Sequence, residues 1–361
     1  MGDTLRSHMP ALYGTRLPEL FDRPYLDETR ATCSRCAMCD HTAEAREDKT
    51  IQPGFFQPDV KCCSYHPTLP NFLVGAALSD ASPELREGRE RLRAKIAART
   101  GVTPGWIAAP RKYLVVYEAA RDASFGRSSR LLCPYYVKGA GSCSIWPYRE
   151  SICATFFCKH VSGASGHAFW GALRRYLAHV EVSLSRYAVQ SLGGGAVEPN
   201  LPRMRLTAED LEEKPPLEAD YASFWGTWLG HEEAFYLECA SIVGSLGKDE
   251  YARVVDDAGG KELLALASAA HDAITRPVLA SKLVRNAELR VVPAPGGVHV
   301  TSYSRYDPLF LTQDLYDALG ELRADETTAA GLERLKAEHD VELPESLLLE
   351  MQLHGVMTTP A

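Results

Sequence analysis

The chain has 361 residues, 45% of them hydrophobic and 24% charged, a balance typical of a globular protein of two or three domains. The 39 Lys and Arg residues against 47 Asp and Glu give a net charge of −8, which argues against nucleic acid or an anionic membrane surface as a partner. No segment approaches the roughly 20 apolar residues of a membrane span. The first nine residues lack the apolar stretch of a secretory signal. We therefore expect a cytoplasmic protein with no membrane partner.

In the first half of the chain, cysteine-rich segments alternate with periodic ones. We interpret residues 1–32 as an irregular arm and residues 33–66 as loops, because the latter combine Gly, Pro and polar residues without a sustained period. Residues 83–99 carry the pattern of a charged amphipathic helix. The β-branched and aromatic segment 112–119 predicts a strand. A second cysteine-rich loop region covers residues 133–160.

The middle of the chain is predicted to be helical. Apolar residues recur at helical spacing from Phe169 to Leu192, and Gly193-Gly194-Gly195 ends that pattern. A polar connector to about Asp220 precedes two further helices, at 231–246 and 261–275. Four aromatic residues at helical spacing are expected to be core residues, namely Trp225, Trp228, Phe235 and Tyr236.

The C-terminal part of the chain changes character. Residues 289–303 predict two strands around a Pro-Gly-Gly turn. Helices are expected at 313–322, at 327–339 with Thr327 as the N-cap, and at 344–354, where Gly355 ends the last one. The predicted fold class is therefore α-rich α+β, with a loop-rich cysteine-cluster domain at 1–190, a helical region at 191–285 and a small C-terminal module at 286–361.

Cysteine is the residue that departs most from an ordinary composition. The chain has ten cysteines, and nine of them lie between Cys33 and Cys158. Structural disulfides are rare in a reducing compartment, so clustered thiols there indicate metal binding or redox chemistry. The tenth, Cys239, lies alone on an apolar helix, and we expect it to be an inert core thiol.

The most specific motif is Cys33, Cys36 and Cys39, three cysteines separated by two-residue gaps. Such gaps let thiolates converge on one cation, and these soft ligands favour an iron–sulfur cluster or zinc over magnesium or calcium. Further ligands would come from the other cysteines of the set, which are Cys62, Cys63, Cys133, Cys143, Cys153 and Cys158. Nine thiols suffice for two four-ligand sites or for one site with unused cysteines, and the sequence leaves both open.

Two histidines close to cysteines need separate consideration. His66 and His160 lie near enough to Cys63 and Cys158 in sequence to replace a thiolate ligand. The alternative is that each is a loop residue, or a residue that hydrogen-bonds a metal ligand without binding the metal itself. For several of the cysteines, the alternative to metal binding is burial as inert thiols.

Three segments carry a resemblance to a known family: Cys133-Pro-Tyr-Tyr, Cys143-Ser-Ile-Trp-Pro-Tyr-Arg149 and Cys153-Ala-Thr-Phe-Phe-Cys158. They resemble the second half of the CxxCxxCC zinc- or iron-chelating (YkgJ-like) family, and Cys33, Cys36 and Cys39 match its N-terminal triplet. Asp40, Glu150 and Ala154 stand where the family usually has cysteine, proline and arginine. The resemblance covers residues 33–160 and implies a cluster-binding fold. Because the family includes flagellin lysine N-methylase, it also implies, more weakly, S-adenosylmethionine-dependent methylation.

The C-terminal module has a resemblance of its own. Its order of hairpin, three helices and His354-Gly355-Val356 resembles a PqqD-like winged helix. That resemblance implies binding of a peptide as an added edge strand. The alternative is a generic winged-helix domain. The many acidic side chains of residues 307–340 argue against contact with nucleic-acid phosphates.

These observations support two functions of different classes. The first is a metalloprotein with an iron–sulfur cluster, 4Fe–4S before other types, or with zinc, that modifies a protein or peptide as a lysine N-methylase does. The second is a non-catalytic interaction module in which zinc ties together loops that lack a large core. The reaction in the first function rests on family analogy alone, and the sequence assigns no catalytic residue.

Overall fold

The computed structural model describes residues 3–26, 36, 38, 39, 56–193, 211, 212, 214–256 and 259–360. The chain divides into two compact units, each assembled from three segments. The first unit comprises Met1–Leu26, Phe56–Phe156 and Arg174–Leu264, and the second comprises Asp27–Phe55, Phe157–Leu173 and Ala265–Ala361. The fold is mixed α and β and rich in helix, as predicted.

The described α-helices are α1 (Asn71–Ser79), α2 (Arg86–Ala98), α3 (Arg111–Ser124), α4 (Ser151–Thr155), α5 (Gly163–Ser191), α6 (Glu218–Trp225), α7 (Glu232–Ser245), α8 (Lys248–Asp256), α9 (Gly260–Thr275), α10 (Gln313–Gly320), α11 (Thr328–His339) and α12 (Glu345–Leu353). The described strands are β1 (Leu69–Pro70), β2 (Trp106–Ile107), β3 (Tyr136–Val137), β4 (Ser142–Cys143), β5 (Val284–Arg285), β6 (Arg290–Ala294), β7 (Gly297–Thr301), β8 (Leu309–Thr312) and β9 (Met357–Thr358). Within the described part of the chain, no helix is long and apolar enough to cross a bilayer.

Residues 3–26 form three 3-10 turns, Leu5–His8, Ala11–Arg16 and Glu19–Asp22. Pro10 and Pro18 stand before the second and third turns, where the missing N–H of proline prevents the turns from merging into one helix. Leu5 and Phe21 are fully buried. The segment is therefore irregular, as predicted, and supplies core side chains to the first unit.

Helix α1 packs along α7 in the core of the first unit. A Cβ on Gly75 would lie 1.8 Å from the carbonyl oxygen of Tyr236, so only glycine permits this close approach. The buried Asn71 side chain donates to the carbonyls of Pro104, at 3.0 Å, and Ser185, at 3.2 Å. The sequence analysis missed α1 because eight of its nine residues are buried, which leaves no polar face to mark a helical period.

The strand predicted at 112–119 is wrong, because this segment is part of helix α3. Tyr113 and Tyr117 stack on each other, with ring centroids 5.7 Å apart, as side chains one helical turn apart can. Leu114, Val115 and Val116 are exposed at 43–44%. The β-branched residues that suggested a half-buried strand thus lie on a solvent face, and the tyrosines make the tertiary contacts that decide the structure.

The other predicted helices are confirmed with small shifts of their ends. Helix α5 begins at Gly163, before the first apolar residue of the predicted pattern, and Gly193 follows it with φ of +70°. Helices α2, α7 and α9 match their predictions, whereas the sequence analysis missed α6 and α8. Trp225, Phe235 and Tyr236 are buried, and Trp228 packs edge-on against Phe235 with centroids 5.3 Å apart.

Residues 283–358 of the second unit form what we call the C-terminal module. Strands β6, β7 and β8 make an antiparallel sheet in that order, with Val292 opposite His299 and His299 opposite Phe310. Strand β9 pairs with β5, so the end of the module returns to its beginning. The predicted hairpin, the three helices and the Thr327 N-cap are confirmed. One apolar core joins these elements and includes Leu283, Val298, Val300, Leu311, Leu319, Leu322, Leu335, Leu348, Met351, Val356 and Met357.

Candidate metal centre

The predicted ligands divide between the two units. The first unit contains Cys62, Cys63, Cys133, Cys143 and Cys153, and the second contains Cys36, Cys39 and Cys158. Cys33 lies outside the described residues. No disulfide joins any of the described cysteines. Cys239 is fully buried on α7, in agreement with its predicted role as a core thiol.

Cys62 and Cys63 lie on a series of tight turns in residues 57–65. The N–H of Cys63 donates to the Val60 carbonyl at 3.2 Å, and the Cys63 carbonyl accepts from the N–H of Cys133 at 2.6 Å. The Lys61 ammonium group donates to the carbonyl of Gly141 at 2.8 Å. The bonds from Cys133 and from Lys61 tie the turns to the segment that contains β3 and β4. They bring together two cysteine-rich segments that are distant in sequence.

The hairpin places two more cysteines close together. Cys143 lies opposite Tyr136 in the register of β3 and β4, and the N–H of Tyr136 donates to the Cys133 carbonyl at 3.1 Å. Arg91 of α2 donates to the carbonyls of Pro134 and Tyr136, which fixes the first arm of the hairpin. We call Cys62, Cys63, Cys133 and Cys143 the thiol cluster.

Burial dominates the electrostatic environment of Cys133. Burial raises the pKa of the Cys133 thiol to about 12, the nearby Cys143 and Cys62 raise it further, and a backbone N–H and Arg91 oppose the rise. The thiol is therefore neutral at physiological pH when no cation is present. A bound metal ion reverses this preference, because it coordinates the thiolate and displaces the proton.

Cys153 adjoins the thiol cluster but has a different environment. Its N–H and that of Ile152 donate to the carboxyl of Glu150, at 3.0 and 2.6 Å, so that Glu150 caps α4. The Cys153 thiol also hydrogen-bonds Glu150, and its pKa is raised well above the usual value by burial and then by the charge of Glu150. Part of the residue is accessible to solvent, but the sulfur itself is desolvated.

A second buried carboxyl lies beside the first. Glu181, on the inner face of α5, accepts from the N–H of Ser151 at 2.6 Å and from its hydroxyl at 2.8 Å. Burial raises the pKa of both Glu150 and Glu181, and the charge of Glu150 raises that of Glu181 further. Two desolvated acids bridged by one serine favour a state in which at least one of them keeps its proton.

His66 packs in a group with four tyrosines, Tyr65, Tyr113, Tyr117 and Tyr135. The ring of His66 packs against those of Tyr113 and Tyr135, with centroids 5.5 and 6.3 Å away, and Tyr117 packs edge-on against Tyr65. Burial lowers the pKa of His66 to about 3, so its imidazole is neutral. Burial raises the pKa of both Tyr113 and Tyr135, and a charge on Cys133 would raise both further.

Three of the predicted ligands, Cys36, Cys39 and Cys158, belong to the second unit. The N–H of Cys39 donates to the Cys36 carbonyl at 2.9 Å. Cys158 is buried, and its carbonyl accepts from the Ser304 hydroxyl at 3.4 Å. His160 is also buried, and its backbone N–H donates to the hydroxyl of Tyr303 at 3.2 Å.

The thiol cluster fits a soft metal in its chemistry but is not yet in a coordinating arrangement. Among the described residues, no three His, Cys, Asp or Glu side chains are close enough together to hold a metal ion. Four cysteines nevertheless lie on two segments that hydrogen-bond to each other, and thiolates are the ligands that zinc and iron–sulfur clusters prefer. Two buried polar atoms in this region, His66 Nε2 and Tyr135 Oη, have no described hydrogen-bond partner. Both the donor set and these two atoms are consistent with a bound ligand.

Comparisons with known proteins add no further information on the site. No protein family, curated protein or solved structure matches the chain.

The sequence analysis missed the acid pair beside Cys153. Glu150 was noted only as a departure from the family pattern, and Glu181 not at all. A signal for Glu181 does exist, because it follows Leu177 by four residues and precedes Ser185 by four, on the face of α5 that points into the core. A carboxyl on an apolar helical face is a buried charge that needs a partner.

Proposed function

We propose that the chain is a cysteine-cluster metalloprotein and that the first unit binds an iron–sulfur cluster or zinc. The observation that carries this proposal is that two cysteine-bearing segments are joined to each other: the N–H of Cys133 donates to the Cys63 carbonyl at 2.6 Å, and Cys143 lies opposite Tyr136 in the hairpin that follows Cys133. The residues that would hold the metal are the four of the thiol cluster. An iron–sulfur cluster supplies electron transfer when bound, whereas a closed zinc site supplies folding free energy.

Hydrogen bonds hold the cysteine-bearing segments of this region together. Lys61 and the Cys63 carbonyl hold the turns against the hairpin, and Arg91 holds the hairpin against α2. The aromatic rings of Tyr113 and Tyr135 pack against that of His66. Because no three described ligands are yet within reach of one ion, binding has to draw residues 57–65 and the hairpin closer together.

The cysteines of the second unit form a separate part of the proposal. Cys33, Cys36, Cys39 and Cys158 would provide a second set of four thiols, matching the triplet motif and the last cysteine of the resemblance. The C-terminal module would be a winged helix, since it has a three-stranded sheet, three helices and a closing strand. Its acidic surface disfavours nucleic acid and leaves a protein or peptide as the partner.

The test is the metal and acid-labile sulfide content of the full chain purified without oxygen, together with its absorption spectrum. About four iron and four sulfide per chain, with a broad band near ~400 nm, would support a 4Fe–4S centre. Zinc without colour would support the structural alternative, in which the loops depend on the metal for folding. A chain that holds neither metal would overturn the proposal.

The reaction is proposed to be modification of a protein or peptide, with S-adenosylmethionine as the methyl donor. A ligand that binds the folded state raises the free energy of unfolding in proportion to the logarithm of its concentration. We therefore expect S-adenosylmethionine to raise the melting temperature of the metal-loaded protein, with ATP as the adenosine-containing control. No shift at saturating concentration would contradict the methyltransferase assignment and leave metal binding unaffected.

A further inference from the structure

The first turn of helix α5 has two backbone N–H groups without an acceptor. They belong to Ala164 and Ser165, and neither has a hydrogen-bond partner in the part of the chain that the structure describes. The next N–H, that of Gly166, donates to the Ser162 carbonyl at 3.1 Å, as in a regular helix. Helix α5 has 29 residues, so its dipole adds a partial positive charge to these N–H groups. Such an end attracts anions, although water satisfies it when no ligand is bound.

A buried histidine packs against this turn. His160 is 5% exposed, and its Nδ1 is buried without a partner among the described residues. A Cβ on Gly166 would lie 3.0 Å from the His160 Cβ and 3.7 Å from its Cγ, so the imidazole lies directly beside the helix. The His160 carbonyl accepts from the N–H of Gly163 at 2.9 Å, which holds the residue at the start of α5. A buried polar atom without a partner requires an explanation, and a ligand at the helix end provides one.

A second imidazole borders the same turn. A Cβ on Gly163 would lie 2.6 Å from His354 Nδ1, so this nitrogen is close to the beginning of the helix. The His354 residue is partly buried, and its ring has no hydrogen-bond partner within the described ranges. Its carbonyl accepts from the Ser302 hydroxyl, which fixes the backbone that carries the ring. Two imidazoles and two N–H groups thus surround one turn of the second unit.

An acidic residue, Asp307, also lies beside His160. Its carboxylate accepts from the Tyr303 hydroxyl and, at 3.4 Å, from the backbone N–H of His160. These contacts already supply the carboxylate with donors, and they involve the backbone of His160 and not its imidazole. Nδ1 of His160 therefore remains available for a different partner.

We propose that the first turn of α5 binds a phosphate group, either the free ion or the phosphate of a small phosphorylated molecule. The donors are the N–H groups of Ala164 and Ser165 and the Nδ1–H groups of His160 and His354, since a neutral imidazole donates from the nitrogen that carries its proton. Phosphate oxygens accept several such bonds at a helix N-terminus. None of the four residues belongs to either set of thiols, so the inference is independent of the proposed metal.

The test is isothermal titration of inorganic phosphate into the full chain at constant ionic strength, with glycerol phosphate as a monoester in a second series. The wild-type protein is compared with His160→Phe and His354→Phe, which keep an aromatic ring and remove its nitrogens. The control is His339→Phe, at an exposed histidine of the same unit. We expect each of the first two substitutions to weaken phosphate binding about tenfold, because a hydrogen bond to a charged group is lost. The control should bind as the wild type does.

Ala164→Pro tests the backbone donors. Proline is tolerated at the first position of a helix and lacks the N–H group, whereas the matched Ala164→Ser keeps it. We expect Ala164→Pro to weaken phosphate binding about threefold and Ala164→Ser to leave it unchanged.

A wild-type protein that binds neither phosphate nor glycerol phosphate, or equal affinities in all the variants, would overturn the inference. Binding that the variants weaken supports it, and the ligand of higher affinity then distinguishes a free ion from a phosphorylated molecule. Circular dichroism identifies a misfolded His160→Phe protein, in which case His354→Phe and Ala164→Pro decide. Loss of phosphate binding would leave the proposed metal site unaffected.

Discussion

The C-terminal module surrounds one apolar core, whereas the region of the thiol cluster is held mainly by polar contacts to the backbone. In the module, the three strands of its larger sheet have four or five residues and the helices have eight or more, and they bury their apolar sides against one another. Around the thiols, the strands are two residues long and α4 has five residues. The structure of the C-terminal module follows from periodic sequence, whereas the region of the thiol cluster depends on individual side chains such as Lys61, Arg91 and Glu150.

The difference shows why the two regions respond to different perturbations. A core built from many similar contacts loses stability when a large side chain is truncated. A region built from a few hydrogen bonds loses stability when one donor or acceptor is left without its partner. A metal bound by the thiols would strengthen only the second region, because its ligands lie there.

The largest expected effect is a truncation in the core of the C-terminal module. Leu319 is fully buried on α10, so Leu319→Ala should lower the free energy of unfolding by about 2–5 kcal/mol. Leu266→Ala is the control, since Leu266 is 56% exposed and should change it by less than about 0.5 kcal/mol. Denaturant unfolding measures both. Equal effects of the two variants would show that the module does not depend on the core described here.

In the polar region, the corresponding change is Ser151→Ala. The buried Ser151 hydroxyl donates to Glu181 at 2.8 Å, and its removal leaves that carboxyl short of a donor. We expect a loss of about 1–3 kcal/mol in the free energy of unfolding. Ser245→Ala, at an exposed hydroxyl that bonds only the preceding helical turn, should have little effect. If Ser151→Ala leaves the free energy of unfolding unchanged, the hydrogen bond from Ser151 to Glu181 does not stabilise the fold.

A smaller effect is expected at the N-cap of α11. The Thr327 hydroxyl accepts from the N–H of Ala330 at 3.2 Å, so Thr327→Ala should lower the free energy of unfolding by about 1 kcal/mol. The exposed Thr359→Ala is the control. Thermal unfolding of both variants tests this cap, and equal melting temperatures would contradict its contribution.

A further effect concerns pH and the charge of Glu181. Burial and Glu150 raise the pKa of Glu181 in the folded state, so the unfolded chain releases its proton at a lower pH than the folded chain does. This difference lowers stability as pH rises above the ordinary pKa of a glutamate. Glu181→Gln removes the titration; its amide oxygen can accept from the Ser151 N–H while its NH2 donates to the Ser151 hydroxyl oxygen. The stability of this variant relative to wild type should therefore increase between about pH 5 and pH 8.

Unfolding at several pH values measures the effect of Glu181→Gln, with the exposed Glu262→Gln as the control. A relative stability that stays constant with pH, or that falls as pH rises, would show that Glu181 is not held in its neutral form.

The same contrast explains how much could be predicted from the sequence. The hairpin, the three helices and the Thr327 cap of the module follow from alternation, helical period and capping residues that act locally. The segment 112–119 was predicted wrongly because the contacts of Tyr113 and Tyr117 outweigh its β-branched composition. The acid pair of Glu150 and Glu181 could not be predicted as a pair, because it joins residues 31 positions apart through Ser151.

The candidate site was predicted in part. The nine cysteines were recognised by their spacing, but their division between two units depends on long-range packing that spacing does not contain. The unsatisfied Nε2 of His66 is likewise a property of the packed structure and has no signature in the sequence.

The most direct test of the account is the metal content of Cys133→Ser compared with that of wild type and Cys239→Ala, all prepared without oxygen. Cys133 is central to the thiol cluster, whereas Cys239 is a buried thiol on α7. We expect wild type and Cys239→Ala to hold the same amount of iron or zinc and Cys133→Ser to lose the metal of the first unit. Equal metal content in all three proteins would contradict the assignment of this site.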